Sequence, residues 1–445
     1  MKKILLAIFM LSFANVFFAQ KNFLSAKTHV DWANNIFFSE VELDTKKANI
    51  QMPSGRNEAS RILKMRTPIV IKEPLFSLYV DNETQVADLI KNDELSISEL
   101  SDLLEKSSKT PAVFKNNTMT IQSNNSLNLK SLASFLMKQK IPHELAVPLE
   151  RIATRPYSGI IIDARGKLPV QGEFSEEETL ACFFPKVWDE EMNVLFEKNM
   201  VLQSIAKNSG IVLYGAKDWD TSYASRIGND ALYIKAQKVY GRNRCDPVIS
   251  KDDALRITSN KDNLKLLQNG KIVILIDAEN LSYDIALPEK TENYYASYNT
   301  IQNRLYESGD NKIEIDDSPN GIRILMKDLK FQADSSALVP EDKKRIASIA
   351  EEIKAIVQNG GYTILVEGHT ADVGKPVGQM NLSIERTKTI MNELIGYGIP
   401  SSLFTYKGYG GTMPEATNET DEGRRQNRRV IITIRPVRQT YIQRY

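Results

Sequence analysis

The residues able to do chemistry are few and scattered. His29, His143 and His369 stand in three separate segments without metal-ligand spacing, so no structural or catalytic zinc site is expected. No Ser–His–Asp, Cys–His or metal-ligand set can be assembled from the motifs. Gly408-Tyr409-Gly410-Gly411 lacks the Lys-Ser/Thr and the strand-to-helix setting of a phosphate loop. Asp163, Arg165, Asp189 and Asp246 would form a polar catalytic cluster only if the fold gathered them, and ion pairs and turn caps around a sheet account for them more simply. No catalytic residue, metal or cofactor is therefore expected. Cys182 and Cys245 are the only cysteines, and a disulfide or two buried free thiols fit them equally. What remains is the loop 368–374, Gly-His-Thr-Ala-Asp-Val-Gly. A loop that leaves a strand's C-terminal end and faces a helix start is a natural place to bind a small polar group.

The surrounding sequence supplies those elements. Residues 322–331 roughly alternate apolar and polar, as a half-buried strand does. Pro340-Glu341-Asp342 opens a helix with proline in its first turn and acids at the positive end of its dipole, and Ile346, Ile349, Ile353 and Ile356 recur at helical spacing. Residues 362–367 form a second strand ahead of the loop. A second amphipathic helix is predicted from about Leu382 to Tyr397, stopped by Gly398 and Pro400. Strands at 403–409 and 429–434 complete a βαβαββ unit.

This stretch resembles the OmpA-like peptidoglycan-binding domain. The carriers are Phe331 and Leu338, the Gly-His-Thr loop, Leu382-Ser383-x-Glu385-Arg386, Gly398-Ile399-Pro400, Gly408-Tyr409-Gly410 and Asn427-Arg428-Arg429-Val430. The resemblance implies non-covalent binding of the stem-peptide diamino acid of peptidoglycan, whose ammonium pairs with a protein carboxylate and whose carboxylate takes an arginine fork. It puts the arginine role on Arg386, while the acid role falls on Ala371. Asp372 sits one place later, where its side chain is expected to leave the loop in a different direction. Gln379 replaces the asparagine usual ahead of the helix, and Gln332 the usual acid after Phe331; Asp334, Thr370 and Arg428 complete the set of pocket members. Losing the charge-assisted hydrogen bond at Ala371 would cost on the order of 1.5–3 kcal/mol, or about tenfold to a hundredfold in affinity. Two readings stand: a wall-tethering domain in which Asp372 or Asp334 compensates, or an OmpA-like fold that has lost the wall contact and acts as a structural or protein-interaction module.

The whole chain of 445 residues, 42% hydrophobic and 25% charged with a net charge of +1, reads as a multi-domain α+β protein with no general pull toward nucleic acid or anionic lipid. Lys2-Lys3, the apolar run 4–13 and the small residue Ala19 read as a secretory signal within 1–20, the alternative being an uncleaved anchor. Elsewhere no apolar run is long enough to span a bilayer, and no transmembrane barrel is expected. A periplasmic location, near the outer membrane or wall, follows, with envelope or outer-membrane proteins as partners. Residues 25–150 read as an α+β domain with strands at 31–43, 68–71 and 75–80, helices near 82–90 and 96–104, and exposed hairpins or loops over 106–125. Residues 151–280 carry Gly159-Ile160-Ile161-Ile162-Asp163-Ala164-Arg165-Gly166, Arg226-Ile227-Gly228-Asn229, Val248-Ile249-Ser250 and Val273-Ile274-Leu275-Ile276-Asp277. This order is similar to the domain shared by the flagellar assembly protein FlgT and small Lpp-type lipoproteins, which implies an envelope or motility-associated binding module. Residues 281–318, rich in Asn, Tyr, Ser and acids, read as a linker, followed by the OmpA-like domain over 319–437 and a tail over 438–445.

Overall fold

A computed structural model describes residues 23–115, 119–137, 150–285, 290–308, 310, 312–331, 338–358 and 360–437. The expected signal (1–20) and tail (438–445), together with His143, Gln332 and Asp334, lie outside them. The chain divides into two compact units, Ala19–Pro288 and Glu289–Tyr445.

In the first unit, strands Leu24–Asp31, Ile36–Asp44 and Thr120–Asn128 form an antiparallel sheet. Along Ile36–Asp44 the residues Phe37, Ser39, Val41 and Leu43 are buried and their neighbours are not, the period of two that a half-covered strand imposes. Residues 106–125, read above as exposed hairpins or loops, include the short strands Ser108–Lys109 and Val113–Phe114, both antiparallel to Thr120–Asn128, and much of that longer strand, which is half-buried. Its inward positions are Ile121, Ser123, Asn125 and Leu127, and the two polar side chains among them masked the alternation. Residues 68–71 are not a strand but the last turn of the helix Arg56–Lys72. There, Ala59, Leu63, Thr67 and Ile71, four apart, form one buried face and outweigh the β-branched run at 69–71. Residues 73–77 then form a short 3-10 helix in place of the start of the second expected strand.

The central region contains a parallel sheet in the order Leu213–Gly215, Ile272–Leu275, Gly159–Asp163, Ala231–Lys235. Beside it is a second, mixed sheet that includes Val187–Asp189 and Asp246–Ile249. The N-terminal and central regions are one compact unit. The Phe183 and Phe184 amides donate to Tyr79 O and Val80 O (3.1 and 2.8 Å), and the Asn243 amide donates to Asn82 O (2.9 Å).

The described residues of 281–318, read above as a linker, are mostly helix and strand. Ser282–Asp284 pairs with Leu24–Asp31 in the N-terminal sheet, where His29 bridges Asp284 and Ser282 at 2.8 Å each. The second unit then opens with helix α1 (Glu292–Ser308) and strand β1 (Ile313–Ser318). Tyr294, Tyr298 and Ile301 follow helical spacing and are buried, and the Tyr294 hydroxyl and the Lys290 ammonium both meet Asp317 on β1. Two tyrosines and an isoleucine at i, i+4 and i+7 form a packing stripe that the polar average of the segment conceals.

After β1 come β2 (Gly321–Lys327), α2 (Pro340–Val357), β3 (Tyr362–His369), α3 (Pro376–Gly396), β4 (Phe404–Gly410), α4 (Asp421–Asn427) and β5 (Arg429–Pro436). The sheet order is β1-β2-β5-β3-β4, antiparallel except for the parallel β3/β4 pair. Register aligns Ile324 with Ile432 and Ile432 with Val366, all fully buried, so one face of three strands forms a continuous apolar core. The βαβαββ order expected from the sequence is present, with α4 inserted and β1 added. Helix α3 begins at Pro376, not near Leu382, because proline occupies its first turn, where the missing N–H costs nothing.

Candidate functional site

Three glycines bring α3 down onto the sheet. A Cβ on Gly368 would lie 2.7 Å from Ser383 O, and one on Gly408 would lie 2.8 Å from the Ile384 backbone nitrogen. Either side chain would push helix and strands apart. At Gly410, φ is +53° and its amide donates to Ser383 Oγ at 2.9 Å, while the Ser383 hydroxyl donates to Met380 O at 2.8 Å. The small serine at the start of the Leu-Ser-x-x-Arg motif therefore pins the helix to the end of β4. One turn of helix separates it from Arg386.

Arg386 lines a pocket with Leu329, Phe331, His369, Arg428 and Arg429. Its guanidinium carbon lies 4.6 Å from the Phe331 ring centroid, within cation–π range. Burial, and then the neighbouring Arg428, make its charge harder to hold than in water. Arg386 Nε has no hydrogen-bond partner among the described residues. His369 stacks on Tyr409, with centroids 5.0 Å apart and planes 11° apart. It is 7% exposed, both ring nitrogens lack a described partner, and burial and then Arg429 push its pKa down to about 4. The histidine is therefore neutral at pH 7. Arg429 pairs with Glu415 at 3.1 Å and donates to Met413 O at 3.0 Å. The pocket thus gathers two part-buried cations, Arg386 and Arg428, with Arg386 Nε unpartnered among the described residues, a chemistry that can take a carboxylate or other anion.

The remaining loop residues form a separate cluster. Gln379, buried on the first turns of α3, donates from Nε2 to Ala371 O (2.7 Å) and to Asp372 Oδ1 (3.3 Å). The same Asp372 oxygen accepts the Gly374 amide at 2.9 Å, and Asp372 is exposed. Its own amide donates to Asn418 Oδ1 at 3.0 Å. Asn418 is held by Asn427 Nδ2 at 2.8 Å, and Asn427 Oδ1 accepts the amides of Glu415 and Ala416 at 2.8 and 2.9 Å. The Thr370 amide donates to Gly410 O at 2.9 Å, while its hydroxyl has no described partner. The structure thus brings Arg386 and Arg428 together, and sets Thr370, Ala371, Asp372 and Gln379 outside that pocket's lining. Phe331, His369, Arg429 and Asn427 carry the site without having been singled out for it from the sequence. Their only signal was membership of the motifs.

The other polar residues singled out lie apart. Arg165 pairs with Asp163 at 2.7 Å and donates to Ala216 O at 3.0 Å, and Tyr233 donates to Asp163 at 2.6 Å. Asp189 accepts the amides of Glu191 and Asn193 within its own turn. Asp246 accepts from Trp188 Nε1 and the Lys186 amide at 2.9 and 2.8 Å. Cys182 and Cys245 are free thiols, both fully buried.

Fold and site together define an α+β chain of several domains whose C-terminal unit carries a pocket lined by three arginines. Residues 330–428 are an OmpA family domain. The N-terminal region, 24–135, matches the model of the Treponema pallidum Tp0624 N-terminal domain. The central region, 159–278, read above as similar to FlgT and Lpp-type modules, matches that of the Tp0624 second domain. Outer membrane protein A of Bordetella avium is 36% identical over 108 residues, which cover 24% of this chain and 54% of that protein. The peptidoglycan-binding protein ArfA of Mycobacterium bovis is 29% identical over 106 residues, covering 24% and 32%. Among solved structures, the periplasmic domain of Helicobacter pylori MotB aligns at 25% identity with a TM-score of 0.26, covering 28% of this chain and 82% of that one. The chain spans about half the length, or less, of these curated relatives. Among the described residues, no helix is long and apolar enough to cross a membrane.

Proposed function

We propose that this is a non-enzymatic, exported envelope protein of the periplasm. Its OmpA family domain holds peptidoglycan by non-covalent capture of the stem-peptide diamino acid. The observation that carries the reading is Arg386, half-sunk against Phe331 beside Arg428 and His369, with Nε unsatisfied. A half-buried cation with an unpartnered donor is unfavourable and is relieved by a bound carboxylate. The relatives named for outer-membrane location and for peptidoglycan binding support the same reading. Envelope or outer-membrane proteins are the partners to which such a tether would join the wall.

A second reading, in which the domain keeps the fold but not the wall contact, is favoured by Ala371 and by the engagement of Asp372 with the Gly374 amide and the Gln379 side chain. Sedimentation with purified cell-wall sacculi separates the two. Wild-type protein is expected to co-sediment, and Arg386→Ala to remain in solution. If wild type stays in solution while Ala371→Asp sediments, the tether reading fails and the structural-module reading stands.

A further inference from the structure

We infer that Asp342 is a positioning residue for this pocket, holding the chain at Phe331 so that the ring supports Arg386, an inference that rests on the wall-binding reading above. The Phe331 ring meets the Arg386 guanidinium at 4.6 Å, and its residue forms a single bridge with Leu338. Phe331 stands past the end of β2 at Lys327, so its position rests on the backbone beside it. The Lys330 amide donates to Asp342 Oδ2 at 2.8 Å, and the Lys330 carbonyl accepts the Val339 amide at 3.2 Å. Asp342 lies in the first turn of α2, where an acid ordinarily faces solvent and the free amides of its own helix. Here it is 5% exposed and reaches outside the helix.

The carboxylate is itself held. One turn along α2, Arg345 donates from Nη1 to Asp342 Oδ1 at 2.7 Å and from Nε to Asp310 Oδ2 at 2.8 Å. Asp310 also accepts the Lys312 amide at 3.0 Å. A planar guanidinium bound by two carboxylates through different nitrogens is fixed in orientation, and it fixes the Asp342 carboxylate in turn. Well-packed apolar groups in place of a buried ion pair are often neutral or stabilising. The geometry that this pair fixes therefore accounts for it better than stability does. The relay also crosses a boundary in the chain. Residues 330–428 match the family, and Asp310, between α1 and β1, precedes them. The turn between those two added elements thus reaches the pocket through Arg345, Asp342, Lys330 and Phe331.

The test uses the full chain, isotope-labelled at arginine and at isoleucine and valine methyls, and the variant Asp342→Ala. In wild type the Arg386 Nε–H lies in the field of the Phe331 ring, and its resonance is assigned by its loss in Arg386→Met. In Asp342→Ala that ring shift is expected to be lost while the core signals of Ile432 and Val366 stay in place. The apparent Kd for purified sacculi is expected to weaken about fivefold or more. Asp310→Asn keeps an acceptor for the Lys312 amide and takes one charge from Arg345. It is expected to move both readouts the same way by a smaller amount, and it decides the matter if Asp342→Ala does not fold. An Arg386 resonance unmoved in both variants overturns the inference. So does one that moves only together with the Ile432 and Val366 signals, the mark of a merely structural role. A moved resonance with unchanged sacculus affinity overturns it too. If wild type fails to bind sacculi, the wall-binding reading itself falls, and the Arg386 resonance still decides whether Asp342 sets the contact.

Discussion

The guanidinium of Arg386 sits 4.6 Å from the centre of the Phe331 ring, and its Nε has no described hydrogen-bond partner. Evolution for stability alone would not leave a half-buried cation in this state, since burying charge without a full complement of acceptors costs several kcal/mol. Arg386→Met keeps the length and the contact with Phe331 and removes the charge. The melting temperature of the variant is expected to be no lower than that of wild type, while sacculus binding is lost. A variant that melts clearly lower, by calorimetry, would show that Arg386 is there for the fold.

His369 gives the domain a pH dependence of known sign. Its folded pKa, about 4, lies below the ordinary 6.5 because the ring is buried and faces Arg429. The unfolded chain therefore binds the proton more readily, and the His369 contribution is complete above pH 6.5 and is lost as pH falls toward 4. His369→Phe preserves the stack on Tyr409. The difference in unfolding free energy between wild type and this variant should shift against wild type across that window. A difference that stays flat would show that the ring is not held neutral.

Asp246 predicts the opposite slope in the other unit. Burial raises its carboxyl to about 7 from 3.8, against the lowering effect of the Trp188 and Lys186 N–H donors. Here the folded state binds the proton more tightly, so stability declines as pH rises from about 4 to about 7. Relative to Asp246→Asn, wild type should lose stability over that range in denaturant melts of the first unit's signal. An unchanged difference would place the carboxyl pKa near its ordinary value.

Asn427 organises the rim of the site. It is fully buried, accepts two backbone amides and donates to Ala416 O and Asn418 Oδ1 at 2.8 Å each. Asn427→Ala leaves those groups unpaired and should cost about 2–4 kcal/mol. Hydrogen exchange should quicken at the Glu415, Ala416 and Asp372 amides before it does in β3 or β5. Uniform exchange across the sheet would contradict this order.

Cys182 and Cys245 share one buried site. The Cys245 thiol donates to Asn243 O at 3.1 Å, and burial raises both thiols above the ordinary thiol range. A buried, fully protonated thiol is a poor nucleophile. Native reduced protein should therefore ignore a disulfide reagent, and two equivalents should react in denaturant. Finding none after denaturation would mean that the pair had oxidised in the exported protein.

The sequence alone determined the strand and helix order of the C-terminal domain and the identity of its fold, because these rest on local signals: periodicity, Pro340 at a helix start, and glycines at 368, 408 and 410. It also located Arg386, since a motif fixes a residue's position on a helix. Where polar side chains lie inside, as Ser123 and Asn125 do, or where aromatic residues at helical spacing sit in a polar stretch, as Tyr294 and Tyr298 do, composition pointed the wrong way. Packing partners distant in sequence decided those segments. The pocket's composition belonged to the tertiary structure too. The resemblance put the acid role on Ala371, with Asp372 one residue away. Only the three-dimensional arrangement could show the Asp372 carboxylate held by Gly374 and Gln379 while Arg386 faces Phe331, Arg428 and His369. A side chain's direction is set by hydrogen bonds and contacts that its neighbours in sequence do not supply.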